Sequence, residues 1–244
     1  FVGQIGFTYM FGLHSIWLAI GWILGDFLTS FFVHKRLRKK SEDNQSFSFA
    51  GTLSRWQGVD YKYLRMLGGL ITLAFLGTYA AAQLNAGSKA LHVLFDWEYS
   101  TGAIIGAAIV LAYCFAGGIR ASIWTDAAQS FVMVAAMTIM LVIGLIEIGG
   151  ISAFRSGLYE ISDTYMNWFP PDNVLGPVFG PFLFVLGWFF AGVGVIGQPH
   201  IMVRFMAMEK ASQMTRARFY YYSWYTLFYT FTICVALMAR LLLP

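Results

Sequence analysis

Charged residues are scarce in this sequence. Only 11% of its 244 residues are charged, whereas 58% are hydrophobic, and a soluble globular domain carries about 25% charged residues. This balance excludes an ordinary soluble domain and is typical of a polytopic membrane protein. The net charge of +4 is small. The sequence also lacks the basic-aromatic pattern that binds nucleic acid, so no nucleic-acid partner is expected.

Cysteine is equally rare. Cys114 and Cys234 are the two cysteines and both lie inside apolar runs, so we interpret them as buried thiols, with no disulfide framework or metal-binding spacing. His14, His92 and His200 have no partners at ligand spacing, and we expect interfacial or hydrogen-bonded side chains there instead of metal ligands. Because no Ser-His-Asp or paired-carboxylate arrangement stands out, we expect neither an enzyme nor an organic cofactor.

Long apolar runs are what the chain has in abundance. A transmembrane helix needs roughly 20 mainly apolar residues, and six stretches qualify. The predicted spans cover residues 11–33, 66–86, 101–117, 123–148, 178–196 and 219–243. We therefore expect an all-α polytopic membrane protein in which residues 1–244 form one membrane domain. Because the chain starts at Phe1 and not at Met, we also expect a fragment of a longer protein.

Basic residues alternate between the predicted loops. Eight lie in the first loop, one in the third and four in the fifth, whereas the second and fourth loops hold one each. Cytoplasmic loops carry the excess of lysine and arginine in membrane proteins. We therefore expect loops 35–65, 118–122 and 198–218 to be cytoplasmic and both chain ends to lie outside the plasma (inner) membrane. Apolar anchors within 35–65 predict a short helix along the inner surface.

A break in the fifth predicted span is the most informative local feature. Glycines at positions 192, 194 and 197 precede Gln198 and Pro199. Glycine and proline weaken a helix interior by about 1 and about 3 kcal/mol relative to alanine. A broken helix at membrane depth leaves backbone groups unpaired, and proteins tolerate this mainly where a solute or ion binds. The pattern favours a transporter; the alternative is a kinked structural helix that ends at Pro199.

Two motifs carry a resemblance to a known family. Residues 113–129 read YCFAGGIRASIWTDAAQ, and residues 197–206 read GQPHIMVRFM. In this order and at this separation they resemble the sodium:solute symporter family, in particular its sodium/proline symporter branch. The resemblance implies sodium-coupled symport of a small organic solute, amino acid-like or another organic nutrient, with sodium as the coupling ion. The alternative is the symporter-like membrane domain of a sensor histidine kinase.

The resemblance also implies the inverted-repeat fold of the LeuT type. The first four spans would complete the first repeat after a missing first helix, and the fifth span would open the second repeat with its broken helix. The family's main sodium site is built from helices outside residues 1–244. No metal site is therefore expected within the fragment itself.

Several residues gain expected roles from the resemblance. Asp126 matches a carboxylate implicated in sodium passage to the cytoplasm; the alternative is a helix N-terminal aspartate stabilised by the macrodipole. Tyr79 matches a tyrosine that contributes to substrate handling; the alternative is a core aromatic with a satisfied hydroxyl. The remaining substrate-binding or gating residues are expected around the broken helix: Trp188, Gly192, Gly194, Gln198 and Pro199.

The aromatic pair of the proline branch has no counterpart here. Counted back from Gly197, its tryptophan and tyrosine positions are Ala191 and Val195, and Trp188 lies one helical turn too early. Smaller side chains predict a roomier or more apolar pocket, in which proline is a poor or secondary substrate.

Asp26 is an ionisable residue inside the first predicted span. Such a residue costs a few kcal/mol and is a functional candidate by default. We favour the alternative, in which its carboxylate reaches back to the basic loop beside His34, Lys35 or Arg36.

The charge pattern makes the topology testable. In a cysteine-free background of the complete protein, Lys39→Cys in the first loop should not react with a membrane-impermeant maleimide on intact cells, because that loop is cytoplasmic. Ser162→Cys in the fourth loop should react. Efficient external labelling at position 39 would reverse the predicted orientation.

Overall fold

The computed structural model describes residues 2–46, 48–171 and 175–243, which are almost entirely helical. The helices are α1 (Val2–Phe11), α2 (Ile16–Asp43), α3 (Phe49–Leu53), α4 (Lys62–Phe95), α5 (Tyr99–Ile148), α6 (Ile151–Ile161), α7 (Gly176–Val193), α8 (Pro199–Met206) and α9 (Met214–Leu242). Short 3-10 turns cover Leu13–Ser15, Gly194–Gly197 and Ala211–Gln213. The predicted all-α class is confirmed.

Within the described ranges of the chain, five segments are long and apolar enough to cross a membrane. They are Leu13–Asp43, Lys62–Phe95, Tyr99–Ile148, Gly176–Gly197 and Ala211–Leu242. Each overlaps one predicted span except the third, which contains both 101–117 and 123–148. The count of six membrane crossings therefore stays a prediction.

Helix α5 is too long for a single crossing. Its 50 residues would measure about 75 Å at 1.5 Å per residue, against roughly 30 Å of bilayer hydrocarbon. The backbone leaves the helical region at Gly118, where φ is 54° and ψ is −143°. Glycine adopts this conformation because it has no Cβ to clash with the backbone. The predicted loop 118–122 is thus wrong in extent, since only Gly118 departs from helical geometry.

The chain divides into two compact units. The first unit comprises Phe1–Arg36, Phe131–Gln198 and Glu209–Pro244. Within it, α1 and α6 both pack on α9. A cluster of buried side chains joins α6 and α9 to α2, and its members are Ala19, Leu158, Tyr165, Ile233 and Leu237.

Tyr165 ties the segment after α6 to the start of the chain. Its hydroxyl donates a hydrogen bond to the Thr8 carbonyl at 3.0 Å, and its own carbonyl accepts from the Leu13 amide at 2.9 Å. Burial raises the pKa of Tyr165 to about 12, so the hydroxyl keeps its proton at neutral pH. Gly12 lies against this carbonyl at a φ of 79°, a position that suits only glycine.

Helices α2 and α7 of the first unit approach closely through three glycines. A Cβ on Gly25 would overlap the Phe189 carbonyl oxygen, and one on Gly192 would overlap the Trp22 carbonyl oxygen. A Cβ on Gly21 would lie 2.7 Å from the Trp188 Cβ. Small residues let membrane helices come into backbone contact, which supplies van der Waals packing where lipid offers no hydrophobic drive.

The second unit comprises Leu37–Ser130 and Pro199–Met208. Within it, α3 packs against α4 and α8. The Oγ of Ser48 caps α3 by accepting the Gly51 amide at 3.0 Å, which satisfies one of the free N–H groups at the helix start. The short helix expected in loop 35–65 is confirmed. It is followed by an unpredicted hairpin of β1 (Arg55–Trp56) and β2 (Val59–Asp60).

The α2–α7 contact predicts an asymmetry between two glycines of α7. Gly192→Ala should destabilise the protein by roughly 1–3 kcal/mol, because the new methyl group overlaps the α2 backbone. Gly187 has open space around its Cα, so Gly187→Ala should be neutral or stabilising by up to about 1 kcal/mol through helix propensity. Thermal unfolding of the two purified variants in detergent measures the difference. Equal shifts in Tm would contradict the close contact.

Candidate functional site

The residues singled out from the sequence fall into both units. Tyr79, Asp126 and Pro199 belong to the second unit, and the others belong to the first. The others are Trp188, Gly192, Gly194 and Gln198. Each group is described within its own unit.

The predicted helix break is present. Regular α-helix continues to Val193, a 3-10 turn follows over Gly194–Gly197, and Gln198 is extended. The break therefore begins at the second of the three glycines. The residue before a proline is disfavoured in the helical region, which accounts for Gln198. Its amide still donates to the Val195 carbonyl at 2.9 Å.

Trp188 and Gly192 take part in helix packing in the first unit. The Trp188 ring lies edge-on to Phe7 and Phe184, with ring centroids 5.9 and 6.3 Å apart. Gly192 is buried against α2, whereas Gly194 is exposed and has open space around its Cα. The two glycines thus differ: Gly192 lets α7 contact α2, and Gly194 lies where the regular α-helix has ended.

Tyr79 of α4 stacks on His200 of α8 in the second unit. The ring centroids are 5.3 Å apart at an interplanar angle of 25°. Burial lowers the pKa of His200, and the nearby Arg204 lowers it further, so the imidazole is neutral at pH 7. The sequence predicted an interfacial or hydrogen-bonded side chain for His200. Its partner lies 121 positions away along the chain, and no local pattern identifies it.

A cavity of about 440 Å³ opens beside this stacked pair. Its volume falls in the range of small-molecule sites. It is mostly apolar, with a few polar groups contributed by α4, α8 and the cap of α3. The lining residues are Ser48, Phe49, Ala50, Arg65, Gly69, Thr72, Leu76, Pro199, His200 and Val203. Pro199 is therefore the one predicted site residue in its wall.

Asp126 of α5 forms an ion pair with Arg204 of α8. The Oδ2 to guanidinium nitrogen distance is 2.5 Å, and the side chains are 39% and 46% exposed. Exposed ion pairs contribute about 0–1 kcal/mol, so this pair can open at low cost. Asp126 lies eight residues after the break at Gly118 and beyond the first helical turn. The alternative role as a helix N-terminal aspartate is thus wrong. Arg204 was missed as a site residue, because only folding brings it to the carboxylate.

Asp26 is fully buried in the first unit and does not reach the basic loop. Its carboxylate faces the hydroxyls of Tyr221 and Tyr222 of α9. His34 lies eight residues further along α2, a rise of about 12 Å. The favoured sequence interpretation, a contact with His34, Lys35 or Arg36, is therefore wrong.

Metal-binding clusters are not found among the described residues. No group of three or more His, Cys, Asp or Glu side chains lies together there. Cys114 and Cys234 are both free thiols, the first exposed and the second half-buried. The expectation of a buried Cys114 is therefore wrong, because among the described residues this stretch of α5 is mostly exposed.

Comparison with known proteins relates this arrangement to a family. The family model of the sodium:solute symporter family matches residues 1–243. The high-affinity proline transporter of Bacillus subtilis (strain 168) is 30% identical over 218 residues, which is 89% of this chain and 44% of that protein. The sodium/proline symporter of Haemophilus influenzae is 31% identical over 243 residues, or 98% and 47% of the two chains.

A further relative extends the same pattern. The sodium/proline symporter of Escherichia coli (strain K12) is 31% identical over 218 residues, covering 89% of this chain and 42% of that protein. This chain thus spans less than half the length of the curated relatives it matches. No solved structure matches it.

The match extends over almost every described residue and includes both motifs found in the sequence. The family is one of sodium:solute symporters, which are transporters and not enzymes. From its helical, apolar structure and this match, the chain belongs to the sodium:solute symporter family.

Proposed function

We propose that the complete protein that contains this chain carries a small organic solute across the plasma membrane together with sodium. The observation that carries the proposal is the family match over residues 1–243. The sodium gradient supplies the driving force, since one elementary charge moved across 100 mV yields about 2.3 kcal/mol. The relatives are named as proline transporters or sodium/proline symporters, and nothing in the structure favours the sensor alternative.

In this proposal α5 crosses the membrane twice, with the turn at Gly118 on the cytoplasmic side. The chain then has six spans of a LeuT-type inverted repeat, and loops 35–65 and 198–218 face the cytoplasm together with the turn at Gly118. Its length of 50 residues supports two crossings, and the arginines and lysines of the three loops support the orientation. Asp126, Arg204 and the cavity beside Pro199 then lie at the inner end of the pathway.

Asp126 is proposed as the last oxygen ligand that sodium meets before it enters the cytoplasm. Sodium is a hard cation, and carboxylate oxygens suit such ions. Arg204 now occupies the carboxylate at 2.5 Å, so an arriving sodium ion competes with the guanidinium. Because the exposed pair contributes little to stability, exchange is easy. Release of Arg204 also frees α8, which begins at Pro199 directly after the helix break.

The proposed solute site uses the break in the chain. Gly192 and Gly194 form its hinge, and Gln198 offers a polar side chain where the backbone is extended. Trp188 is proposed as a further gating residue in the first unit. Tyr79 and Pro199 are proposed separately, as substrate-binding or gating residues beside the cavity of the second unit.

Removing the charge of Asp126 or of Arg204 should change the sodium dependence of uptake in opposite directions. Asp126→Asn in the complete protein should raise the sodium concentration for half-maximal uptake by about tenfold or more, the equivalent of about 1.4 kcal/mol. Arg204→Gln should lower it, because the competitor of sodium is gone. Uptake into proteoliposomes measures both effects. Asp163→Asn, an exposed aspartate in the outer loop, is the control, and a shift in that variant or none in Asp126→Asn would contradict the role.

Proline should be a weak competitor for the transported solute. Ala191 and Val195 replace the aromatic pair of the proline branch, so the pocket holds the proline ring less closely. A sodium-dependent thermal-shift screen of amino acids identifies a solute, and proline is then tested against its labelled form. The double variant Ala191→Trp and Val195→Tyr should compete better with proline than the unaltered protein. Strong inhibition of the unaltered protein by micromolar proline, above that by other amino acids, would show that the pocket argument is wrong.

A further inference from the structure

Asp26 is a buried carboxylate in a membrane-spanning helix, and the proposed sodium pathway at Asp126 does not use it. Its exposed fraction is 0%. An uncompensated buried charge costs several kcal/mol, and ionisable residues inside a membrane are retained mainly for function. Some group must therefore neutralise or share its charge.

Tyrosine hydroxyls are the nearest polar groups to this carboxylate. Tyr221 and Tyr222 of α9 face Asp26, and Tyr225 lies within electrostatic range one turn further along. Within the described residues, neither carboxylate oxygen of Asp26 nor the Tyr222 hydroxyl completes a well-aligned hydrogen bond. Three buried oxygen atoms therefore face one another with bonding capacity to spare.

Basic side chains near this cluster are engaged elsewhere. Arg218 of α9 donates to the Ser30 carbonyl at 3.0 Å and lies over the Phe31 ring at 4.1 Å. His34, the other buried titratable side chain of α2, lies beside Arg218. Helix α7, which packs on this part of α2 through Gly25, carries no ionisable side chain. No lysine, arginine or histidine among the described residues pairs with Asp26.

We infer that the Asp26 carboxylate and the hydroxyls of Tyr221 and Tyr222 bind one monovalent cation, sodium or a proton, inside the membrane. Carboxylate and hydroxyl oxygens are the hard ligands that sodium requires. A proton on the carboxyl group would equally cancel the charge and let Asp26 donate to a tyrosine oxygen. The inference rests on the proposed function, in which it adds a second cation site to the pathway at Asp126.

The position of the cluster connects cation binding to the helix break. Gly25, next to Asp26, lies against the backbone of Gly192 and Val193, where α7 ends and the 3-10 turn begins. A cation bound at Asp26 draws α9 and α2 together. It therefore acts one residue away from Gly25, whose contact with the end of α7 positions the helix break. Occupancy of the site biases the geometry of the proposed gate.

The test measures cation binding directly, so it requires neither transport nor a known solute. The purified complete protein in detergent is unfolded thermally in sodium chloride, with choline chloride replacing it at constant ionic strength. A ligand that binds the native state raises Tm in a concentration-dependent way. If the cation is sodium, Asp26→Asn should raise the sodium concentration for half-maximal stabilisation about tenfold or more. The exposed Asp163→Asn should leave that concentration unchanged.

A proton at the site gives a different signature at constant sodium. The native state then binds more protons than the unfolded state, so Tm of the unaltered protein falls as the pH rises from 5 to 8. Asp26→Asn should abolish this fall. The measurement is repeated in a His34→Gln background, which removes the contribution of the neighbouring histidine. Sodium and pH profiles that both match the unaltered protein would overturn the inference.

Tyr222→Phe provides a second variant if Asp26→Asn does not yield folded protein. It removes one hydroxyl without changing the ring, so it should weaken the sodium or pH effect in the same direction by a smaller factor. Tyr220→Phe on the same helix is the matched control, because the ring of Tyr220 is exposed and its hydroxyl faces Arg216. Equal profiles for the two variants would overturn the inference. Absence of uptake by the unaltered protein would count against the proposed function alone.

Discussion

The absence of water from the membrane interior is the constraint on which the rest of this structure depends. Every backbone and side-chain polar group at that depth needs a partner within the protein. Long helices meet most of this requirement, and the 3-10 turn meets it where α7 ends, since the Gln198 amide still reaches the Val195 carbonyl. Buried ionisable groups follow the same rule: Arg218 donates to the Ser30 carbonyl, and the Asp26 carboxylate faces tyrosine hydroxyls.

The contact between α2 and α7 connects two unusual features of these helices: a buried carboxylate in α2 and the end of regular α-geometry in α7. Gly25 and Gly192 permit backbone approach, because larger side chains would hold the helices apart. As a result Asp26 is next in sequence to the residue that contacts the end of α7. Within a membrane, burying apolar surface against another helix contributes little free energy. The α2–α7 contact is therefore stabilised by the close fit of the two helix surfaces. One methyl group is therefore enough to disturb it.

Much of the fold could be predicted from the sequence. Apolar runs of the length of a bilayer identify the long helices, and the glycines before Pro199 locate the break to within a few residues. Gly192 packs against α2 and regular α-geometry continues to Val193, so the break begins at Gly194. The sequence predicted a five-residue turn at 118–122, whereas Gly118 alone leaves helical geometry. Tertiary contacts set these boundaries, and local helix propensity cannot predict such contacts.

The sequence by itself determined the class of protein, the position of its helices and the two motifs that the family match contains. Only the tertiary structure decided which polar groups meet. It paired Asp126 with Arg204, stacked Tyr79 on His200 and placed Asp26 against α9. The physical reason is range. Helical periodicity assigns a residue to a face of its own helix. Its partner on another helix depends on how the helices pack, and in the low dielectric of the membrane every buried polar group needs such a partner.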